Sequence, residues 1–321
     1  MIPVEGHDLL KIRRFVLGGD EEDWVRVWNA EYKEYDDFRQ ITTEEFKTAE
    51  TAPEFDPKGR FIVELDEQPV GIIHAHVDRL RKERKGFIRS FGVIPDFRGK
   101  GIEEELVKIA LNELQSRGMK IVQAWARESR RDRVRLWEKL GFRLVRRFSL
   151  MERDLDIIPS GVGENKEVTL KQLRRDSDED VKLLNRLGNE CFKEHFNYRP
   201  GTLDETKYFL RKDPFFKDQS WFFTKLKGKN VGYIGVGIDG KFNVERNMQT
   251  GWILDIGVLK PHRKGGIGTR LMLQGMETLK TKGMTTAMLG VDDSNVTKAM
   301  KLYKKVGFKV TKKDLTYERN I

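Results

Sequence analysis

The sequence IGVLKPHRKGGIGT, at residues 256–269, decides the fold, because a close copy, FGVIPDFRGKGIEE, stands at residues 91–104. The residues that the two stretches share are 165 positions apart, as in the pairs Val93 and Val258, Arg98 and Arg263, and Gly101 and Gly266. A later Gly-Phe pair recurs at a separation of 166, at residues 141–142 and 307–308. Self-similarity over this length predicts that one domain type has been duplicated.

The chain has 321 residues, which suits two domains of ordinary size. A polar stretch with Pro159, Gly161 and Gly163 separates the two copies and has the composition of a linker. We therefore predict an N-terminal domain at residues 1–157 and a C-terminal domain at residues 165–321.

Each copy presents the same order of predicted elements. An opening strand (12–17; 167–173) and a helix precede a β-hairpin whose turns lie at residues 66–69 and 227–230. A strand then leads into the repeated stretch and into a helix with apolar residues at helical spacing. A strand (121–126; 285–291), a short helix (131–140; 296–306) and a final pair of strands complete each copy. This order predicts an α/β fold with a mixed, mostly antiparallel, twisted sheet flanked by helices, built twice.

Composition places the chain among globular proteins. Hydrophobic residues make up 38%, charged residues 35% and aromatic residues 10%, which is too apolar for a disordered chain and too polar for an integral membrane protein. Cys191 is the single cysteine, so neither an internal disulfide nor a CxxC zinc site can form. The first residues lack the pattern of a signal peptide, and we expect a cytoplasmic protein.

The net charge of +10 lies wholly in the second half of the chain. Residues 1–160 hold 30 Lys and Arg against 31 Asp and Glu, and residues 161–321 hold 31 against 20. A basic domain attracts polyanions, and charge alone does not choose among nucleic acid, acidic lipid and a phosphate-rich cofactor.

The stretch at 258–269 has the features of an anion site. A strand ending at Val258 turns into a helix through Gly265, Gly266 and Gly268, which leave room for a phosphate against the backbone amides at the helix N-terminus. This stretch matches neither the Walker spacing GxxxxGK[ST] nor the dinucleotide fingerprint GxGxxG. The alternative is a helix start that only needs flexible residues.

The Arg-x-x-Gly-x-Gly core, together with downstream residues at matching spacing, resembles the GNAT superfamily of acyl-coenzyme-A-dependent N-acetyltransferases. The downstream residues are Asn295, Ala299, Leu302, Tyr303, Gly307 and Phe308. Because the stretch is repeated, the resemblance covers nearly the whole chain, and paired domains of this kind are similar to the mycothiol synthase-like tandem proteins.

The resemblance implies acetyl-CoA as co-substrate and assigns roles to individual residues. Backbone amides of residues 264–269 would hold the coenzyme pyrophosphate, an amide near Val258 would polarise the thioester carbonyl, and Tyr303 would be the general acid. The implied cofactor-binding set is Ile256, Gly257, Val258, Arg263, Lys264, Gly265, Gly266, Ile267, Gly268, Thr269, Asn295 and Tyr303.

Several of these assignments have alternatives. Tyr303 alone could be a core aromatic, and Asn295, which precedes it by eight residues where the family has seven, could cap the short helix. Asp255 is the best placed general base. Asp292 and Asp293 come second, and a reaction without a side-chain base is equally compatible with the sequence.

The N-terminal copy departs from the family at three positions. Glu103 replaces the last glycine of the loop, Trp137 replaces the tyrosine, and Arg133 replaces the small residue that matches Ala299. A carboxylate repels a pyrophosphate, and an indole N–H is no acid for a thiolate. We expect this copy to be catalytically silent.

Three other signals are set aside. His74 and His76 share one face of a strand, but without a third ligand the sequence favours two histidines on a half-exposed strand, and we expect no metal. Charge clusters at 79–85 and 127–133 are typical of solvated loops, so a nucleic-acid partner is not expected. Cys191 has the context of a packing residue.

Two functions fit these observations. The first is an acetyl-CoA-dependent N-acetyltransferase that acts from the C-terminal domain on a small-molecule or peptide amine, as a monomer or homodimer without a membrane partner. The second is a non-catalytic tandem protein that binds coenzyme A or a macromolecule. The joint presence of Arg263, Gly266, Gly268 and Tyr303 favours the enzyme.

Overall fold

A computed structural model describes residues 2–4, 7–159, 165 and 167–321. The chain divides into two compact units: unit 1 comprises residues 1–146 and 314–321, and unit 2 comprises residues 147–313. Residues 160–164 of the predicted linker lie outside the described residues. Among those described, no helix has both the length and the apolarity needed to cross a membrane.

Unit 1 is a mixed sheet with four helices among its described residues. The strands are β1 (Ile2–Val4), β2 (His7–Arg14), β3 (Arg60–Leu65), β4 (Gln68–Val77), β5 (Lys85–Val93) and β6 (Ile121–Arg127), and the helices are α1 (Glu21–Tyr32), α2 (Thr43–Ala49), α3 (Ile102–Ser116) and α4 (Arg131–Lys139). Strands pair in chain order, antiparallel except for parallel β5 and β6. Residues 314–320 of the chain's last strand pair antiparallel with β6 and complete this sheet.

Unit 2 repeats the arrangement. Its strands are β7 (Arg143–Asp154), β8 (Val168–Gln172), β9 (Asp218–Leu226), β10 (Lys229–Ile238), β11 (Thr250–Val258), β12 (Thr286–Asp292) and the first part of β13 (Lys309–Asn320), and its helices are α5 (Asp178–Phe192), α6 (Leu203–Arg211), α7 (Gly240–Arg246), α8 (Ile267–Thr281) and α9 (Ala299–Lys305). The order is β7-β12-β11-β10-β9-β8, with β11 and β12 parallel and the other pairs antiparallel. The predicted fold class is confirmed.

Each core forms where a long helix covers its sheet. Ile102, Leu106, Ala110 and Leu114 of α3 are all buried, and so are Ile267, Leu271, Gly275 and Leu279 of α8. The helical spacing of these residues therefore predicted the buried face correctly. Burying such a face is worth about 25 cal/mol per Å² of apolar surface, which is the main stabilisation of each unit.

The predicted domain boundaries at 157 and 165 do not coincide with the compact units. Each copy ends in one long strand rather than in a pair of strands, and residues 148–154 of β7 pair with β12 of unit 2, whereas the end of β13 pairs with β6 of unit 1. The two copies therefore exchange their last strands. The two strands are equivalent parts of a repeat, so the sequence pattern is the same for either pairing.

Candidate active site

The candidate site begins at a gap between two parallel strands. β11 and β12 pair only from Thr250 to Trp252, although β11 continues to Val258. The backbone N–H of Leu259 donates to Val231 on the opposite side, at 2.9 Å. Because N–H groups alternate in direction along a strand, the Val258 N–H points toward the gap that β12 leaves. An extended ligand can pair with this edge.

The loop after β11 presents unused backbone donors. Gly266 has φ of 77° and precedes the first residue of α8. Within the described part of the chain, the N–H groups of residues 264–269 donate no hydrogen bond. These amides lie at the positive end of the α8 dipole, so together they form a site for an anion such as a phosphate.

Gly268 faces a neighbour that limits what can stand there. A Cβ at this position would lie 3.0 Å from Cδ2 of Leu302 on α9. The predicted loop residues lie together at the start of α8. The side chains of Ile267 and Thr269 are buried, which leaves their backbone to face the loop.

The guanidinium of Arg263 bonds two backbone carbonyls of the protein. Its Nε donates to the Val258 carbonyl at 2.9 Å, and an Nη donates to the Cys191 carbonyl at 3.0 Å. Its backbone N–H is also used, by the carbonyl of Lys260. Arg263 thus fixes the end of β11 against the end of α5. Its contact with the cofactor stays a prediction.

Tyr303, on α9, combines a buried ring with an unbonded hydroxyl. The side chain is 7% exposed and its ring lies 6.4 Å from that of Phe308. Burial and the Asp255 carboxylate raise its pKa, so the hydroxyl keeps its proton at neutral pH. No residue that the structure describes accepts this proton in a hydrogen bond. Tyr303 is both a core aromatic and an available donor.

Asp255, on β11, is partly buried and accepts a 2.7 Å hydrogen bond from the Tyr233 hydroxyl. Burial raises the pKa of Asp255 to about 6, although hydrogen bonds from Tyr233 and from the Ile256 N–H act in the opposite direction. A carboxylate that titrates near 6 is ionised at neutral pH and can still accept a proton.

The other acidic candidates are engaged elsewhere. Asp293 accepts hydrogen bonds from Ser149 Oγ at 2.6 Å and from Lys313 Nζ at 2.8 Å. Asp292 accepts the Ser294 N–H at 2.9 Å. The role of Asp255 as the base stays a prediction.

Asn295 forms a local turn. Its side-chain oxygen accepts from both the N–H and the hydroxyl of Thr297, at 2.7 Å and 2.6 Å. The helix begins only at Ala299, preceded by Lys298 as its cap residue. The interpretation of Asn295 as the helix cap is therefore wrong, and its side-chain oxygen is occupied by the turn.

Two residues beside the site, Tyr233 and Cys191, were not identified as part of it from the sequence. Tyr233 is fully buried and positions Asp255, and Cys191 packs against Gly257, where an added Cβ would meet its sulfur at 3.0 Å. Burial raises the pKa of Cys191 to about 12, so it stays a neutral packing thiol. Comparison of the two copies could have identified Tyr233. The equivalent residue is Ile72 in the copy that lacks the last loop glycine, so the tyrosine occurs only where that glycine is kept.

In unit 1, two carboxylates accept hydrogen bonds from backbone N–H groups whose equivalents in unit 2 have no acceptor among the described residues. Glu31 takes the place of Cys191, and its carboxylate accepts the Val93 N–H at 3.3 Å. Glu103 accepts the Gly99 N–H of the loop at 3.2 Å. Val93 and Gly99 are the equivalents of Val258 and Lys264. Side chains of this copy therefore bond the amide at the end of β5 and one amide of the loop.

A buried ion pair fills the rest of the gap in unit 1. Arg133 donates to Glu31 at 2.9 Å and to the Phe91 carbonyl at 3.3 Å, and its guanidinium lies 3.8 Å from the Phe91 ring centroid. The indole N–H of Trp137, which stands where Tyr303 stands, donates to the Trp125 carbonyl at 3.0 Å. Glu31, Arg133 and Trp137 therefore line a small cavity in this part of unit 1.

We expect Glu31→Ala to lower the free energy of unfolding by about 3–5 kcal/mol, because it leaves the buried guanidinium of Arg133 without its carboxylate. Glu31 is 1% exposed and also bonds Arg98 and Arg130. Urea unfolding followed by tryptophan fluorescence measures the change. Glu34→Ala is the matched control, because the side chain of Glu34 is 50% exposed and its ion pair is worth less than about 1 kcal/mol. Equal shifts for the two variants would contradict this account.

The fold and the comparisons with known proteins identify the protein as an acyltransferase. The sequence model of the Acetyltransferase (GNAT) family matches residues 22–142 and 184–308, and the chain belongs to this family of acyltransferases. Relatives include the mycothiol acetyltransferase of Thermomonospora curvata, 33% identical over 135 residues, which are 42% of this chain and 44% of that protein. The mycothiol acetyltransferase of Actinosynnema mirum is 27% identical over 246 residues, 76% of this chain and 78% of that protein.

Solved structures share the fold over nearly the whole chain. A GCN5-related N-acetyltransferase from Sphaerobacter thermophilus matches with a TM-score of 0.71 at 22% identity, covering 97% of this chain and 95% of that one. A tandem GNAT protein from the clavulanic acid biosynthesis pathway matches with a TM-score of 0.74 at 13% identity, covering 97% and 98%. The chain spans less than half the length of the Thermomonospora relative, and most of the Actinosynnema one.

Proposed function

We propose that the protein transfers an acetyl group from acetyl-CoA to a small-molecule amine, and that unit 2 carries the reaction. The observation that supports this most directly is the contrast between the copies. Unit 2 has unbonded amides at 264–269, a free edge at Val258 and an unbonded hydroxyl at Tyr303. In unit 1 the Val93 N–H bonds Glu31, the Gly99 N–H of the loop bonds Glu103, and Trp137 replaces the tyrosine.

The residues present fit the coenzyme. Amides of residues 264–269 bind the pyrophosphate, and the backbone at Ile256 and Val258 pairs with the extended arm. Acetyl-CoA supplies an acyl group activated as a thioester, whose departing sulfur requires a proton. Arg263 acts through the backbone, because it holds the carbonyls of Val258 and Cys191 in place.

Three groups then assist the transfer. The Val258 N–H donates to the carbonyl oxygen as negative charge develops on it. Asp255 accepts the proton that the acceptor ammonium loses before attack, and Tyr303 donates its proton to the leaving sulfur. The name of the relatives makes the amine precursor that acetylation converts to mycothiol the first acceptor to test.

Calorimetry with acetyl-CoA on the full chain tests the binding half of this proposal, and we expect one site per chain. Conversion of acetyl-CoA to coenzyme A, separated by chromatography and screened over a panel of amines that includes the mycothiol precursor, tests the transfer half. Chromatography is used because that precursor carries a thiol of its own, which would mask the coenzyme thiol in a thiol assay. A chain that binds no acetyl-CoA would overturn the proposal. A chain that binds it but acetylates no amine would favour the non-catalytic function.

The pH dependence reports on Asp255. As a base, Asp255 works only when ionised, so kcat/KM falls as the pH drops below about 6. Tyr233→Phe removes a hydrogen bond that lowers the pKa of Asp255, so the acid limb of the profile moves to higher pH. Tyr317→Phe, a buried tyrosine of unit 1, is the control and leaves the limb in place. An acid limb that does not move in Tyr233→Phe would remove Asp255 from the mechanism.

A further inference from the structure

Unit 1 contains a buried cluster of metal-ligating side chains far from any role in the proposed transfer. His74 and His76 on β4 and Asp56, four residues before β3, are 5%, 2% and 0% exposed. One ligand atom from each residue lies within 4.8 Å of the other two. The histidines are not on the half-exposed strand that the sequence indicated, and the third ligand that it lacked is Asp56.

The repeat shows that the fold does not require this cluster. Gly71 pairs with Val93 as Gly232 pairs with Val258, so His74 and His76 correspond to Gly235 and Gly237. In unit 2, apolar side chains occupy the space that the two imidazoles take up in unit 1. The ring of Trp221 lies 2.5 Å from where a Cβ of Gly235 would be, and Leu254 and Phe216 lie 2.7 Å and 3.0 Å from that of Gly237.

Replacing this apolar layer by two imidazoles and a carboxylate costs free energy unless the polar atoms gain partners. Hydrogen bonds supply part of the compensation in unit 1, because Asp56 accepts the Val77 N–H at 2.9 Å and a guanidinium N–H of Arg117 at 2.7 Å. Arg60, the other buried cation nearby, is paired with Glu50. Asp56 also lies 3.7 Å from a guanidinium nitrogen of Arg79, so its carboxylate faces two guanidinium groups.

The hydrogen bonds around the cluster are those that orient metal ligands. Nε2 of His74 lies 3.1 Å from the Lys58 carbonyl, which can only accept, so this nitrogen carries the proton and Nδ1 keeps its lone pair. A ligating histidine typically donates its other N–H to a carbonyl in this way, and a ligating carboxylate is itself hydrogen-bonded, as Asp56 is. Both supporting contacts are present in unit 1.

We propose that Asp56, His74 and His76 bind one divalent transition-metal ion, for which Zn²⁺ is the probe. Imidazole nitrogen and carboxylate oxygen are ligands that Zn²⁺ takes at about 2.0–2.2 Å, so tetrahedral ligation brings ligand atoms to about 3.3 Å of one another by small side-chain movements. Because the site is closed to solvent, the ion fastens the segment at 56–60 to β4 and takes no part in acetyl transfer.

The experiment uses the full chain, stripped with EDTA, given Zn²⁺ alone and then desalted. We expect one retained zinc ion per chain, a higher melting temperature with Zn²⁺ than with EDTA, and a visible absorption band when Co²⁺ replaces Zn²⁺. His74→Asn and His76→Asn each lose the retained ion. His195→Asn, a partly buried histidine of unit 2, retains it and is the matched control.

Zinc retention by His74→Asn and His76→Asn at the wild-type level would overturn the proposal, because the ion would then be bound elsewhere. If these variants do not fold, the melting temperatures and the Co²⁺ spectrum of the wild-type chain test the proposal. Equal melting temperatures in EDTA and in Zn²⁺, with no Co²⁺ band, would exclude the site. None of these readouts depends on acetyl transfer, so they are unaffected if the proposed function fails.

Discussion

Gly268→Glu is expected to abolish acetyl-CoA binding to the full chain. The substitution places a carboxylate in the second position of α8, among the unbonded amides of residues 264–269. Unit 1 already shows the result, because Glu103 stands at the equivalent position and accepts a loop N–H, that of Gly99. The new carboxylate therefore satisfies the donors that the pyrophosphate needs and repels the phosphate charge.

Calorimetry measures this loss, and the number of sites adds a second result. Wild-type protein binds one acetyl-CoA per chain and Gly268→Glu binds none, because unit 1 is expected to bind none. Gly240→Glu is the matched control: it adds the same charge at the first position of α7 in the same unit, where a Cβ meets nothing within 4 Å. Unchanged affinity in a folded Gly268→Glu protein would remove the phosphate site, and two sites in the wild type falling to one would show that unit 1 also binds the coenzyme.

The repeat made most of the fold predictable from the sequence. Two copies of each element had to satisfy the same pattern, so the apolar spacing in α3 supported that in α8. Three short helices, α2, α6 and α7, were missed, although the sequence marks the first two. Thr42 with Glu45 and Thr202 with Glu205 form capping boxes, in which each side chain satisfies a backbone N–H at the helix start.

The strand exchange could not be predicted in this way. Residues 148–154 pair with β12 and residues 314–320 with β6, and the two stretches have the same order of buried, partly buried and exposed residues. Periodicity specifies which face of a strand is buried, but it carries no information on which of two equivalent neighbours the strand pairs with. The choice depends on tertiary contacts along the whole edge.

The candidate site was predictable where it consists of side chains in a motif, as at Tyr303 and the loop glycines. It was not predictable where long-range contacts decide. Arg263 is part of the motif, yet its guanidinium bonds the carbonyl of Cys191, 72 positions away. Asp56 reaches the two histidines only because the segment before β3 lies beside β4. Contacts of this kind have no signature in local spacing.

Tyr303→Phe is expected to lower kcat by about 10²–10⁴, the usual contribution of general-acid catalysis, while acetyl-CoA affinity stays unchanged. The ring packs in the core of unit 2 and its hydroxyl bonds to no described residue, so phenylalanine keeps the packing and leaves no buried partner unsatisfied. Stability therefore stays near that of the wild type, and a lower kcat reports on the proton alone.

The proton matters because the sulfur leaves more readily as a thiol than as a thiolate. A buried hydroxyl with a raised pKa holds its proton until negative charge develops on the sulfur. Steady-state kinetics on a true acceptor, with calorimetry for acetyl-CoA, separates this loss from a loss of binding. Tyr198→Phe is the control, because its hydroxyl bonds to Asn189 in the same unit. If Tyr303→Phe turns over at nearly the wild-type rate, the sulfur takes its proton from solvent or from another residue, and the hydroxyl of Tyr303 has no catalytic role.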